Sequence, residues 1–165
     1  MRVFLEGPDG SGKSTFARRL QEVLCKKYTT AYIHHTAYEN SSSLELYNKF
    51  SKSFKLLQYV DVVIIDRCHI SEAIYAPHPR LCPGMAEYEA LNNMISPHDI
   101  KILFLPPLEK CLAVWRSRKE EEFIQDEEYM REVWRRYSML PWLLRFDYTK
   151  QDTKELIRCI TRELR

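Results

Sequence analysis

Long apolar runs are missing from this chain of 165 residues. No stretch approaches the roughly 18 consecutive apolar residues of a membrane-spanning helix, and the segment 1–7 lacks the extended apolar core of a signal peptide. An excess of one charge is missing too, since 25 Lys and Arg face 23 Asp and Glu, so no global field requires a membrane or nucleic-acid surface. We therefore expect no membrane partner and a cytoplasmic location.

Cysteine pairs at short spacing are also absent. The chain has five cysteines, an odd and dispersed set with no C-x-x-C pair: Cys25, Cys68, Cys82, Cys111 and Cys159. This pattern is typical of free thiols in a reducing compartment, and it argues against a disulfide framework or a zinc site.

Glycine is scarce but clustered. Of four glycines, Gly7, Gly10 and Gly12 fall within six residues. They belong to the segment 7–15, Gly-Pro-Asp-Gly-Ser-Gly-Lys-Ser-Thr, which fits the phosphate-binding pattern G-x-x-x-x-G-K-[ST]. In that pattern the glycines let successive backbone amides point at a phosphate, and the helix that follows adds a favourable dipole.

The side chains of this loop predict a nucleotide site with a metal ion. Lys13 can reach the β- and γ-phosphates, and the Ser14 hydroxyl can bind Mg²⁺. The alternative is a Gly-rich turn that matches the pattern without a ligand. The predicted binding residues are Gly7, Asp9, Gly10, Ser11, Gly12, Lys13, Ser14 and Thr15.

Apolar periodicity indicates strands that alternate with helices. The strongest strand signal is 61–66, where four branched residues in a row predict burial on both faces. We predict further strands at 3–5, 30–34, 100–105 and 144–148, and helices at 14–27, 43–59 (capped within 41–43), 70–75, 85–95, 108–119, 126–144 and 152–164. Such alternation is typical of a parallel sheet covered by helices on both faces.

A carboxylate and a guanidinium follow the strongest strand. Asp66 ends it and Arg67 comes next, where strand carboxyl ends line the ligand crevice of such sheets. Asp66 is predicted to hold Mg²⁺ through water or to orient the attacking hydroxyl, and Arg67 to bind an anionic group. A solvated ion pair at a strand end is the alternative.

A cluster of cations ends the predicted helix at 108–119. Three cations fall within four residues, Arg116, Arg118 and Lys119, and such a cluster can close over phosphates during transfer. The same pattern also fits a solvated helix face with the pairs Arg116–Glu120 and Arg118–Glu122.

Several segments, in order along the chain, resemble those of known kinases. The segment 5–15 is similar to the opening of the thymidylate kinases, and 66–71, Asp-Arg-Cys-His-Ile-Ser, resembles their Asp-Arg-x-x-x-Ser segment. The segment 116–121 is similar to the Arg-x-Arg lid of the related deoxynucleoside kinases. Weaker similarities to this superfamily are Val133, Tyr137 and Leu140, and the segment 146–148 before a capped helix. The resemblance covers most of the chain.

The resemblance implies an α/β, three-layer P-loop NTPase fold. This fold has a five-stranded parallel sheet, helices on both faces and a small helical lid at about 116–126, in a single domain 1–165. It also implies transfer of the γ-phosphoryl group of ATP, with Mg²⁺ held by Ser14 and Asp66, to a nucleoside or nucleotide. Thr15 would join Lys13 and Ser14 at the nucleotide, and Asp9 would lie near the acceptor sugar. The implied catalytic residues are Lys13, Asp66, Arg67, Arg116 and Arg118.

The region after the second strand departs from both kinase families. Thymidylate kinases carry Arg-Glu-Pro-Gly-Gly there and deoxynucleoside kinases a Glu-Pro pair, whereas this chain has His-His-Thr-Ala-Tyr-Glu at 34–39. Only 26 residues, 34–59, separate Ile33 from Val60. This leaves room for one helix where thymidylate kinases place two, so the acceptor site is predicted to be trimmed.

Three acceptors remain open: a small deoxynucleotide, a nucleoside, or the hydroxyl of a hydroxymethylated base within DNA. Glu39 and His35 are candidate general bases. A metal site at His34 and His35 is disfavoured, because neighbouring strand residues point to opposite faces. The DNA acceptor would need aromatic and basic residues around the cleft, for which the candidates are Tyr32, His34, His35, Tyr38, Lys49, Lys52 and Lys55.

One interpretation of a different class also remains. The chain would then be a phosphate-loop module that binds nucleotide without transferring phosphate to a small acceptor. An oligomer such as a dimer is compatible with either interpretation.

Overall fold

The computed structural model describes residues 1–36, 41–76, 84–118, 126–142 and 144–164. In these residues five parallel strands form one sheet: β1 (Arg2–Glu6), β2 (Thr30–His34), β3 (Val62–Asp66), β4 (Ile100–Phe104) and β5 (Leu144–Phe146). Their spatial order is β2-β3-β1-β4-β5. The predicted α/β fold with a five-stranded parallel sheet is therefore confirmed.

Seven helices connect or follow these strands in the described residues: α1 (Lys13–Leu24), α2 (Ser43–Lys55), α3 (His69–Tyr75), α4 (Met85–Asn93), α5 (Leu108–Ser117), α6 (Glu127–Ser138) and α7 (Thr153–Glu163). A 3-10 turn, Leu56–Gln58, follows α2. Two of the predicted helix caps are present. Ser42 and Glu45 form a reciprocal capping box at the start of α2, and the Asp152 side chain accepts a hydrogen bond from the Lys154 amide at the start of α7.

The sheet is the middle of three layers, because successive strand residues point to opposite faces. In β1, Val3 and Leu5 pack with α1 and α7, whereas Phe4 packs with α2, α3, α4 and α6. In β3, Val62 and Ile64 follow the first set and Val63 and Ile65 the second, and all four are fully buried. The predicted burial of this strand on both faces is confirmed.

Strand register brings the ends of three strands to one edge. Asp66 lies opposite Leu5 of β1 on one side and opposite His34 of β2 on the other. The loop that follows β1 therefore emerges beside Asp66, at the carboxyl edge where ligand crevices form in sheets of this kind.

Several predicted helices are longer than those observed. The prediction that α6 continues to Leu144 is wrong, since the helix ends at Ser138 and Leu144 begins β5. Pro141 supplies the reason, because proline has no N–H to donate and disfavours helical geometry in the residue before it. The predicted helix from 14 to 27 likewise ends earlier, at Leu24.

Two further findings concern the described residues alone. No helix among them is both long and apolar enough to cross a membrane. Their four cysteines, Cys25, Cys68, Cys111 and Cys159, are free thiols.

Candidate functional site

A cleft of about 900 Å³ opens at the carboxyl edge of the sheet. Most of the predicted site residues line it: Asp9, Gly10, Ser11, Gly12, Lys13, Ser14, Thr15, Arg67 and Arg118. Gly7 and Asp66 lie directly behind this lining, where the Gly7 carbonyl accepts a hydrogen bond from Lys13 and the Asp66 carboxylate one from Ser14. Arg116 is the predicted site residue that the structure does not bring to the cleft.

The phosphate loop, residues 7–12, has a backbone that needs glycine at particular points. Gly12 caps α1 in the left-handed conformation, with φ 87°, and Gly10 has φ 74°. A Cβ atom on Gly10 would lie 2.5 Å from the Cys111 carbonyl oxygen of α5. The clustered glycines therefore let the loop turn tightly against α5 and open α1 towards the cleft.

Lys13 lies inside the loop rather than in solvent. Its ammonium donates to the carbonyl oxygens of Gly7 and Pro8 at 2.7 and 2.8 Å and to Ser11 Oγ at 3.1 Å. Burial lowers the pKa of Lys13 to about 8, and Arg67 adds to this effect. The loop thus holds a desolvated cation at the cleft, where a bound anion would stabilise its charge.

Three side chains converge on one oxygen of Asp66. Ser14 and Tyr32 donate their hydroxyls to Oδ2 at 2.6 and 3.1 Å, and His34 Nδ1 lies 3.0 Å from the same atom. Burial opposes ionisation, but the hydrogen bond of His34 and the charge of Lys13 prevail and lower the pKa of Asp66 to about 2. Asp66 is therefore a fixed anion at neutral pH.

The other oxygen of Asp66 suits a metal ion. Oδ1 is buried and has no hydrogen-bond partner among the described residues, which is costly for a charged oxygen unless a cation or water satisfies it. With the Ser14 hydroxyl alongside, this is the oxygen-donor chemistry of Mg²⁺, which takes few protein ligands and shares the rest with phosphate and water. Ser14 and Asp66 therefore fit the predicted ion. No group of three or more His, Cys, Asp or Glu side chains suited to a metal occurs in the described residues.

Arg67 is held by the loop and by α3. Its Nη2 donates to Asp9 Oδ1, and its guanidinium stacks on the Tyr75 ring with a distance of 4.8 Å to the centroid. Burial opposes the charge, but the Asp9 carboxylate outweighs it and keeps the pKa of Arg67 well above its usual value. Tyr75 also donates to Asp9 Oδ2 at 2.9 Å. The backbone φ of Arg67, 73°, is unusual for a residue with a side chain, and such strain is characteristic of functional sites.

A buried polar network, which the sequence did not predict, lies next to Arg67. Glu6 is fully buried, and its carboxylate accepts from the Cys68 amide at 2.7 Å, Ser71 Oγ at 2.6 Å and Tyr137 Oη at 3.0 Å. The network ties β1, α3 and α6 together directly beneath the cleft. Arg67 joins it through longer contacts of 3.4 Å to Ser71 and Tyr137.

The two adjacent histidines have different environments. His34 is partly exposed and faces Asp66, whereas His35 is buried, with Nε2 3.0 Å from Ser53 Oγ of α2 and its ring against Phe50. Burial lowers the pKa of His35 to about 4, which makes it a weak base at neutral pH. The two side chains therefore contact different elements, β3 and α2, although both also line the cleft. Glu39 and Tyr38 lie outside the described residues.

The two arginines of the predicted lid also differ in their surroundings. Arg116 forms a two-point ion pair with Glu127 of α6, with Nε–Oε2 2.9 Å and Nη2–Oε1 2.7 Å, and its side chain is 48% exposed. Arg118 lines the cleft. The predicted partners Glu120 and Glu122 lie outside the described residues, as does most of the predicted lid. The catalytic roles of both arginines stay predictions.

Aromatic residues line the far end of the cleft, beside the start of α1. Tyr148 lies next to Gly12, where a Cβ atom would come within 3.3 Å of its ring, and it lines the cleft together with Thr153 and Phe146. In the sequence, Tyr148 was indicated only by the weak family similarity of the segment 146–148. The pairing of β5 with β4 brings its ring to the loop, and no local pattern predicts that pairing.

Comparison with known proteins agrees with this geometry. Residues 2–55 match the family model of the AAA domain (dynein-related subfamily), a span that contains β1, the phosphate loop and α1. No curated protein sequence matches the chain significantly.

Solved structures match nearly the whole chain. The YorR protein of Bacillus subtilis, in complex with phosphorylated GDP, is 22% identical with a TM-score of 0.73, over 98% of this chain and 94% of that one. Deoxyadenosine kinase of M. mycoides with the products dCMP and a flexible dCDP is 18% identical with a TM-score of 0.56, over 99% of this chain and 98% of that one. The same kinase with bound dATP is 16% identical with a TM-score of 0.59, over 99% of both chains. These likenesses show that the chain shares its fold with all three structures.

Proposed function

We propose that this chain is an ATP-dependent phosphotransferase that moves the γ-phosphoryl group to a hydroxyl or phosphate of a (deoxy)nucleoside or (deoxy)nucleotide. The observation that carries the proposal is the convergence on one cleft of a phosphate loop with Lys13, a carboxylate–hydroxyl pair at Asp66 and Ser14, and the guanidinium of Arg67. A domain that only bound nucleotide would need the loop but not Arg67 beside it.

Lys13 and the loop amides would bind the transferring end of the nucleotide. Because the Lys13 ammonium is already desolvated, its attraction for phosphate oxygens is stronger than that of a solvated lysine. Charge that develops on the transferred group would meet Lys13 and, from the far side, Arg118. The fused rings of the nucleotide base would lie towards Tyr148 and Thr153, at the open end of the loop.

Ser14 and Asp66 would hold Mg²⁺, which supplies neutralisation and orientation of the phosphate oxygens when it is bound. Tyr32 and His34 fix the Asp66 carboxylate through its other oxygen, so Oδ1 is presented in one orientation. Asp66 is therefore better suited to orienting the ion than to accepting a proton, because its pKa of about 2 makes it a weak base.

Several broader predictions accompany this proposal. We propose that residues 1–165 form one kinase domain with a lid at about 116–126, in the cytoplasm, and that dimer formation is compatible with activity. The free thiols of the described cysteines agree with a reducing compartment.

The proposal is tested by incubating the protein with γ-labelled ATP, Mg²⁺ and a panel of nucleosides, nucleotides and oligonucleotides. We expect label on at least one acceptor in the wild type and none with Lys13→Ala. Lys26→Ala, which removes an exposed lysine outside the cleft, is the matched control and should keep full activity. Nucleotide binding without label on any acceptor would favour the module without kinase activity. Near-wild-type turnover in Lys13→Ala would refute the assignment of the loop.

A second candidate acceptor is the hydroxyl of a hydroxymethylated base within DNA. The observation that favours it is a neighbouring cavity of about 710 Å³, which shares His34 and His35 with the cleft and is lined by Lys49 and Lys52 of α2. Lysines beside an open groove suit a nucleic-acid backbone. Oligonucleotides with and without hydroxymethyluracil test this candidate, since only the modified one should accept label.

A further inference from the structure

One side of the cleft is built by α3, which contacts the phosphate loop through Tyr75 and Asp9. One turn of this helix presents Ser71, Glu72 and Tyr75 to the cleft, next to Arg67. Ser71 and Tyr75 are engaged, since their hydroxyls bond to Glu6 and Asp9 respectively. Glu72 differs from them, because its carboxylate makes no hydrogen bond or ion pair with any residue in the described ranges.

The charges on this wall do not favour an anionic acceptor. Arg67 is the cation that lines the cleft beside Glu72, and it is already paired with Asp9. A phosphate group placed there would meet the Asp9–Arg67 pair, whose opposite charges balance each other, together with the carboxylate of Glu72. A neutral hydroxyl avoids this repulsion, and a carboxylate is the natural acceptor for its hydrogen bond.

Two carboxylates near the cleft differ in their suitability as a base. Asp66 Oδ2 lies within hydrogen-bond distance of three side chains, and this carboxylate is a fixed anion. Burial raises the pKa of Glu72 to about 7; Arg67 and Lys49 oppose this shift and Glu6 adds to it. A base that titrates near neutrality is efficient in general base catalysis, whereas one that titrates near 2 is not.

We propose that Glu72 is the general base of the phosphotransfer reaction and that the acceptor is a neutral hydroxyl rather than a phosphate. This inference rests on the proposed kinase function. The hydroxyl oxygen forms a bond to the γ-phosphorus of ATP while the bond from that phosphorus to the β,γ-bridging oxygen breaks. The hydroxyl proton passes to the Glu72 carboxylate, and ADP leaves.

Two sources can supply such a hydroxyl, a free (deoxy)nucleoside and a hydroxymethylated base in DNA. Both present an uncharged alcohol to Glu72, and they differ in what lies beyond it. A nucleoside would be enclosed by the cleft, whereas a DNA strand would extend past His34 into the neighbouring cavity lined by Lys49. The acceptors in the test therefore include both sources.

The first measurement compares acceptors with the wild-type protein and Mg-ATP. The panel holds deoxynucleosides, their 5′-monophosphates, and oligonucleotides with and without hydroxymethyluracil. We expect kcat/KM at least tenfold higher for a hydroxyl acceptor, free or in DNA, than for transfer to any monophosphate. Nucleoside diphosphates as the main product would overturn this inference and leave the kinase function intact. Label on no acceptor would overturn both.

The second measurement tests Glu72 itself. Glu72→Gln is expected to lower the single-turnover rate roughly 10²- to 10⁴-fold. The wild-type rate should fall with a single protonation below about pH 7, and this acidic limb should vanish in Glu72→Gln. Glu72→Asp should keep the limb with a reduced rate. Glu163→Gln, at an exposed carboxylate on α7, is the control and should match the wild type.

A merely structural role for Glu72 would give a different result. The Kd for ATP, measured together with urea unfolding, separates the two roles. A misfolded Glu72→Gln variant would lose nucleotide affinity as well as rate, whereas loss of a base leaves the Kd for ATP within about threefold. Wild-type rates in Glu72→Gln with an unchanged acidic limb would overturn the proposal. A loss of rate in Glu72→Gln together with an unchanged acidic limb would overturn it too.

Discussion

The buried hydroxyl of Tyr137 offers a direct test of the network beneath the cleft. Tyr137 is fully buried, and its Oη donates to Glu6 Oε2 at 3.0 Å and lies 2.8 Å from Ser71 Oγ. Tyr137→Phe removes this hydroxyl and keeps the ring, so no large cavity forms. The change therefore isolates the hydrogen bonding from the packing.

The expected cost follows from the charge of the acceptor. A hydrogen bond to a charged group stabilises a fold by about 1.5–3 kcal/mol, and Glu6 keeps two other donors, the Cys68 amide and Ser71 Oγ. We therefore expect Tyr137→Phe to lower the free energy of unfolding by about 2 kcal/mol. For a chain of 165 residues this corresponds to a fall in Tm of roughly 4–8 °C.

Urea denaturation followed by circular dichroism measures this difference, with an unchanged m-value as the sign that stability alone has altered. Tyr59→Phe is the matched control, because Tyr59 is 78% exposed and should shift stability by less than about 0.5 kcal/mol. Ser71→Ala combined with Tyr137→Phe should be non-additive by at least about 0.5 kcal/mol, since both hydroxyls contact the same oxygen. Equal effects of Tyr137→Phe and Tyr59→Phe would refute the reasoning.

Three further predictions concern protein stability and the rate of phosphotransfer. Burial lowers the pKa of His35 from 6.5 to about 4, so the unfolded chain takes up this proton first on acidification and stability falls by about 3 kcal/mol between these pH values. His35→Gln should flatten that slope in urea titrations whereas His98→Gln should not, and parallel curves would contradict it. Arg118→Ala should lower kcat by about 10²-fold or more, and Arg116→Ala by less than about threefold because Arg116 is paired with Glu127; equal losses would remove the distinction. Gly10→Ala should destabilise the loop by more than 1 kcal/mol, measured as a loss of Tm and of ATP affinity, because its Cβ would meet a backbone carbonyl at 2.5 Å.

Strands and loops governed by local chemistry were predictable from the sequence. β2 has the bounds that its run of β-branched and aromatic residues indicates, 30–34, and the phosphate loop lies where its glycines and Lys13 predicted it. The end of α6 was not predictable in this way, because helical periodicity continues past Ser138 and only Pro141 signals the break. Local patterns therefore fix the type of an element better than its end.

The contacts of the site were less predictable, because they join distant parts of the chain. Glu6 and Tyr137 are 131 residues apart, and Asp9 and Tyr75 are 66 apart. No spacing rule connects such pairs, since strand register and helix packing decide them. Arg116 shows the same limit, because its partner Glu127 belongs to the next helix rather than to its own helix face.

The short segment between β2 and β3 bears on where the proposed acceptor would bind. Its described part holds one helix, α2, and α2 engages His35 through Ser53, so the buried imidazole contributes packing rather than a base. In the proposed kinase, the phosphate loop and β3 would supply the donor side, where Ser14 donates a hydrogen bond to Asp66. The side of the cleft that the proposal assigns to the acceptor is α3, where the Glu72 carboxylate has no hydrogen-bond or ion-pair partner among the described residues. In the proposed kinase, the short segment after β2 and the half-buried Glu72 of α3 would together shape the acceptor side of the cleft.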